Sequence, residues 1–199
     1  MTCGPWRPIV LETYVSRISD LFFHTEVLES LASATVDAQA EIEYPTPGAN
    51  IKFELSISGE SISSAIVPVS PDGFANHVFE IEKPALWYPH NYGKQPLYTL
   101  CAKLLADENE DSEIDSLSKR LGVRRARLVQ RPLKDQPGTT FFFEINNVPI
   151  FCGGSNWIPA DNFIPRISDQ KYRNWLQLMV DGNQIMVRLA SLSPLINHL

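Results

Sequence analysis

Residues 51–57 read Ile-Lys-Phe-Glu-Leu-Ser-Ile, with every odd position apolar and every even position polar. Successive side chains of an extended backbone point to opposite faces. A period of two therefore describes a strand with one face buried and the other in water. Val78-Phe79-Glu80-Ile81 repeats the alternation. Ile9–Val15, Phe22–Val27, Leu97–Leu104 and Leu121–Val129 are further apolar, β-rich candidates. Turn signals punctuate them at Ser19-Asp20, Tyr44-Pro45-Thr46-Pro47-Gly48, Ser58-Gly59, Ser70-Pro71-Asp72-Gly73 and Asn91-Tyr92-Gly93. Six or seven strands on short connections predict a mainly β chain whose first part is an immunoglobulin-like β-sandwich over residues 10–131. The Cys-Trp-Cys spacing of antibody domains is missing, so the likeness is one of architecture.

After Pro132 the pattern changes. Phe141–Ile145 and Val148–Phe151 flank Asn146-Asn147 and read as a hairpin-like pair. The only convincing helix follows. Ser168 is its N-cap, Tyr172, Trp175, Leu176 and Met179 form one apolar stripe, and Gly182 is its stop. Gln184–Leu189 then reads as a strand. Strand, helix and strand make a βαβ unit, the building block of a parallel sheet or barrel. A (β/α)8 barrel takes about 250 residues, far more than follow Pro132. The expectation is the first βαβ unit of a truncated (β/α)8 barrel over residues 132–188.

Charge and cysteine content exclude several classes. A net charge of -6 gives no general attraction to nucleic acid or to anionic membranes. Arg124-Arg125 and Arg127 are too short a run to make a nucleic-acid patch. No apolar run approaches the roughly 20 residues of a membrane helix, and no cationic, apolar leader opens the sequence. Neither nucleic acid nor membrane is an expected partner. Three cysteines, Cys3, Cys101 and Cys152, are odd in number and far apart. They argue against a disulfide framework and fit a reducing, cytoplasmic setting. Asp107–Asp115 holds six carboxylates in nine residues. Without glycine or EF-hand spacing it reads as a solvated hairpin loop, not a metal site. His24, His77, His90 and His198 show no metal-ligand spacing, and no metal or cofactor is implied.

Four segments carry a resemblance. Gly4-Pro5-Trp6-Arg7-Pro8-Ile9 comes first, then Leu86–Tyr98 (LWYPHNYGKQPLY), Leu121-Gly122-Val123-Arg124, and finally Phe143–Asn146 running through Phe151–Asp161 (FCGGSNWIPAD). In this order over residues 4–188 they resemble an internal fragment of a family 2 glycoside hydrolase of the fungal, leaderless β-mannosidase type. The resemblance implies the end of a jelly-roll sugar-binding domain over residues 1–9 and the start of the TIM-barrel catalytic domain over 132–188. It fails after Arg188, which leaves residues 189–199 as a non-family tail.

The implied activity is hydrolysis of terminal, non-reducing β-D-mannose with retention, by two carboxyl groups about 5–5.5 Å apart. In the family both are glutamates on later barrel strands. No catalytic residue is therefore expected here, and the chain is expected to be inactive alone. The resemblance implies a substrate-binding set of Trp157, Asn156, Asp161 and Arg188, with a β-mannoside oligosaccharide as partner. Trp157 would pack an indole face on sugar C–H groups, Asn156 and Asp161 would hold loop geometry or a hydroxyl, and Arg188 would support carboxylates. Each residue has a structural alternative. Trp157 could be barrel-mouth packing, Asn156 and Asp161 turn-formers, and Arg188 an ion-pair partner. The competing functions are a non-catalytic β-sandwich binding module and another family 2 specificity, against which the Asn156-Trp157-Ile158-Pro159 context argues.

Overall fold

A computed structural model describes residues 8–107, 109 and 112–189. The strands are β1 Arg17–Val27, β2 Ser33–Glu43, β3 Asn50–Ile57, β4 Glu60–Pro68, β5 Phe74–Glu82, β6 Tyr98–Leu105 and β7 Glu113–Leu121. After them come β8 Ala126–Val129, β9 Phe142–Ile145, β10 Val148–Ile150 and β11 Gly154–Trp157. A 3-10 turn at Ile164–Arg166, helix α1 Asp169–Asp181 and strand β12 Met186–Leu189 complete the order.

The first seven strands form two antiparallel sheets, ordered β1-β2-β5 and β4-β3-β6-β7. Their inner faces share one core. Leu21, Val36, Ala38, Ala40 and Phe79 come from the first sheet, and Ile51, Phe53, Leu55, Tyr98, Leu100 and Leu104 from the second. The alternation of residues 51–57 is realised as expected, since Ile51, Phe53 and Leu55 are fully buried. Each such side chain contributes about 1.5–3 kcal/mol relative to exposure. Strand β2 alternates just as strictly, with Ala34, Val36, Ala38, Ala40 and Ile42 all buried. Three of those five are alanines, which are depleted in strands, so residue type gives little hint of it. Strand β4 is an exposed, serine-rich edge and is equally silent in sequence.

Three expectations are corrected. Ile9–Val15 is no strand; it joins no sheet among the described residues, and Ile9 and Leu11 are 89% and 92% exposed. A ladder needs a neighbour, and β1 begins only at Arg17, where Glu43 accepts hydrogen bonds from both Tyr14 and Arg17. Ser19-Asp20 is not a turn. It is a bulge inside β1, between Ile18 and Asp20. The Asp20 carboxylate folds back to accept the Leu21 N–H at 2.7 Å, while the Ile18 N–H reaches Asp115 of β7 at 2.8 Å. Leu121–Val129 is not one strand either. Leu121 closes β7, residues 122–125 cross over, and β8 enters a separate antiparallel sheet ordered β10-β9-β8. At the crossing Gly122 packs closely on Trp87, and an added Cβ would lie 3.1 Å from the indole. This small sheet joins residues on both sides of the expected boundary at 131.

Several local expectations after β8 are met. Asn146 and Asn147, at φ 51° and 65°, turn the β9–β10 hairpin. This pair of left-handed residues suits the twist of a tight hairpin. The Ser168 hydroxyl caps α1 by accepting the Lys171 N–H at 3.3 Å, and Gly182 ends the helix with its N–H on the Leu178 carbonyl at 3.0 Å. Strands β11 and β12 pair in parallel, with α1 between them in sequence. The acidic loop joins β6 to β7, and within it Asp107 accepts from the Asn109 N–H and the Ser112 hydroxyl, both at 2.8 Å. The expected jelly-roll end at 1–9 and the tail at 189–199 fall almost wholly outside the described residues, as do Cys3 and His198.

Candidate functional site

The β11–β12 register places Asn156 opposite Arg188 and Trp157 opposite Leu189. Residues paired across a ladder lie on the same face, and consecutive residues lie on opposite faces. Asn156 and Arg188 therefore share one face, both exposed, while Trp157 belongs to the other. Helix α1 lies on the tryptophan's side. The Trp157 ring stacks on Tyr172 at 6.0 Å and 19° and meets Trp175 edge-on at 5.5 Å and 64°. These distances are those of favourable aromatic pairs.

Asp161 stands in the loop after β11. Its carboxylate accepts the Phe163 N–H at 2.8 Å and faces Arg166 at 3.7 Å. That is an Asx-type turn, in which a short acidic side chain mimics a backbone carbonyl. Of the four candidate residues, the fold brings Asn156 and Arg188 side by side, turns Trp157 to the helix and gives the Asp161 carboxylate to its own loop.

A cleft of about 480 Å³ opens along this end of β11. Trp157, Ile158, Pro159 and Ala160 form one wall, and Trp175, Leu178 and Met179 of α1 form the other. Trp157 is half-buried, so part of its ring remains open to the cleft. Ser155 and Asn156 supply polar groups at the edge. The Ser155 hydroxyl bonds Gln184 at 2.7 Å and ties β11 to the segment before β12. Glycine is required at 154, since an added Cβ would sit 1.8 Å from the Met186 carbonyl oxygen.

Tyr172 and Trp175 are site residues that a search for polar groups passes over. Their signal was the aromatic content of the helical stripe. The Tyr172 hydroxyl is buried without a hydrogen-bond partner among the described residues, and burial pushes its pKa up. Among the described histidines, His77 packs edge-on against Phe79 at 4.7 Å. Among the described residues no three His, Cys, Asp or Glu side chains are grouped to hold a metal.

Known proteins resemble this arrangement. A β-mannosidase B from Thermothelomyces thermophilus is 51% identical over 190 residues, 95% of this chain and 22% of that protein. A β-mannosidase B from Aspergillus clavatus is 41% identical over the same shares. The crystal structure of a β-D-mannosidase from Dictyoglomus thermophilum superposes with a TM-score of 0.76 at 31% identity, over 88% of this chain and 22% of that one. A Parabacteroides merdae β-glucuronidase superposes with a TM-score of 0.72 at 14% identity, covering 88% of this chain and 21% of that one, which shows a shared fold. The chain spans 22% of the length of the curated relatives it matches. The family described as glycosyl hydrolases family 2 matches residues 16–124, more than half of the sequence, and the chain belongs to that family.

Proposed function

We propose that this chain is an internal segment of a retaining β-mannosidase, an enzyme that removes terminal, non-reducing β-D-mannose. The carrying observation is the 51% identity to a β-mannosidase B across 95% of the chain. In this reading residues 10–131 are the core of an immunoglobulin-like sandwich, and β11, α1 and β12 are the first unit of a (β/α)8 barrel. The parallel pairing of β11 with β12 supports the barrel reading. So does the absence of any buried residue in α1, which leaves Leu178 and Val180 exposed.

The β-mannoside would meet the open part of the Trp157 ring, where an indole face suits the C–H face of a pyranose. Asn156 and Arg188, on the opposite face of the β11–β12 pair, would support carboxylates there and not the sugar on the Trp157 ring. The acid/base and nucleophile glutamates would come from parts of the relatives' length that this chain does not span. The free thiols of Cys101 and Cys152 support a reducing, cytoplasmic setting.

Two assays test the reading. The purified 199-residue chain should show no turnover of an aryl β-mannoside. A full-length protein containing the segment should release mannose with its β configuration retained, as followed by proton NMR. Turnover by the short chain, or inversion by the long one, would defeat it. A glycan-binding sandwich without catalysis is the second reading, supported by the complete core between the two sheets. Binding of manno-oligosaccharides by the short chain, with an inactive full-length protein, would favour it.

A further inference from the structure

The β9–β10 hairpin is bound firmly to the first two sheets. Asn146 is 2% exposed, and its side chain accepts the Arg125 N–H at 2.8 Å and donates to the Trp87 carbonyl at 3.0 Å. Asn147 donates to the Glu29 carbonyl at 2.7 Å and accepts from Arg125 Nη1 at 2.9 Å. The chain then runs from β10 into β11 through only residues 151–153. That joint is all that connects the hairpin, in sequence, to β11, α1 and β12.

One loop of the sandwich reaches both sides of this joint. The Tyr92 hydroxyl accepts the Phe151 N–H at 3.2 Å, on the strand β10 side. One residue earlier, the Asn91 amide donates to the Asn183 side-chain oxygen at 3.0 Å, in the turn between α1 and β12. Asn91 and Asn183 both sit at positive φ, 67° and 55°, so each is held in a turn that aims its amide. The loop itself is stiff. The Tyr88 N–H bonds the Lys94 carbonyl, the Tyr92 N–H bonds the Pro89 carbonyl, and Gly93 lies so close to the Tyr88 ring that an added Cβ would be 2.9 Å away.

We propose that the Asn91-Tyr92 loop is a latch that locks a hinge at Phe151–Gly153 and so sets the orientation of the β11–α1–β12 unit on the sandwich. Hinges of this kind are a few element-terminal residues that absorb the backbone change. Two hydrogen bonds bracketing so short a joint restrict it without a large buried interface. Their loss frees the joint while leaving the sandwich core untouched. The latch grips the N-terminal ends of the parallel strands and leaves the Trp157 end open. This inference stands on the junction geometry and holds whatever the cleft binds.

The test uses the full 199-residue chain carrying Cys3→Ser, Cys101→Ser and Cys152→Ser, with spin labels on Ser64→Cys and Arg173→Cys, both exposed positions. The distance distribution should be single and narrow. In Asn91→Gly/Tyr92→Phe, which keeps the positive φ and the ring but removes both hydrogen bonds, it should broaden. Amide exchange at Ile185, whose N–H bonds the Gly153 carbonyl at 2.9 Å, should quicken about tenfold, the loss expected from two net hydrogen bonds. Exchange at Phe53 should not change and reports that the sandwich is folded. Tyr92→Phe alone, an isosteric change, should give a smaller shift in the same direction. A distribution narrow in both proteins, or broad in both, would overturn the latch.

Discussion

The side-chain amide of Asn146 donates to the main-chain carbonyl of Trp87 at 3.0 Å, joining the turn of the β9–β10 hairpin to a loop 59 positions earlier. Trp87 is held from other directions as well. Its N–H bonds the Val123 carbonyl at 2.9 Å, Gly122 lies beneath the indole, and the Arg124 guanidinium stacks 4.7 Å from the ring centre. Three of the four segments that carried the family resemblance thus meet at one junction.

Replacing Asn146 with glycine keeps the left-handed turn but strands the Arg125 N–H and the Trp87 carbonyl. Each unsatisfied group costs about 1–3 kcal/mol. Urea unfolding should therefore show a loss of about 2–6 kcal/mol. Asn146→Ala should lose about 1 kcal/mol more, because alanine tolerates positive φ poorly. Equal stability of the two variants would contradict the role given to φ 51°.

Phe53→Ala empties the centre of the core and should cost about 3–5 kcal/mol. Leu178→Ala, at a residue of α1 that is 68% exposed, should change stability by less than about 0.5 kcal/mol. Paired thermal unfolding curves compare them. A large effect at Leu178 would mean that the helix face is covered in solution.

Gly154→Ala puts a methyl group against the Met186 carbonyl oxygen. The clash belongs at or above the upper end of the roughly 1–3 kcal/mol typical of overpacking. Hydrogen exchange should show β11 and β12 opened and β3 and β6 unchanged. Protection retained in β12 would show that the strands can separate and re-pair.

The Asp20 carboxylate is held below its ordinary pKa by the Lys119 ammonium at 2.6 Å and by the Leu21 N–H. A folded-state pKa below the unfolded one adds stability at pH above the unfolded value, near 4. That stability is lost as pH falls through the folded value. Both side chains are 39% exposed, so screening keeps the contribution below about 1 kcal/mol. Urea midpoints at pH 7 and pH 3 should differ less in Asp20→Asn than in the parent chain. An unchanged difference would mean that the pair is not formed in solution.

Legibility in the sequence varied with the range of the interaction. The period of residues 51–57, the Ser168 cap, the Gly182 stop and the Asn146-Asn147 turn were readable, because each depends on neighbours within a few residues. Strand β2 hid behind alanines, and Ser19-Asp20 carried the composition of a turn while serving as a bulge. The bulge depends on Asp115, almost a hundred positions away. Of the candidate site, residue types were readable but not directions. Trp157 stood out as an aromatic in a polar, small-residue stretch, yet only pairing with β12 shows that it turns to the helix while Asn156 turns away.

The sequence by itself determined a mainly β chain, one capped helix and membership of a family, since alternation, capping and motif order are properties of local chain chemistry. The tertiary structure decided which strands pair, where the Leu121–Val129 run breaks and which face receives each side chain of β11. Those outcomes depend on partners distant in sequence, Trp87 against Gly122, Asn146 against Trp87 and Met186 against Gly154, and no local pattern encodes such contacts.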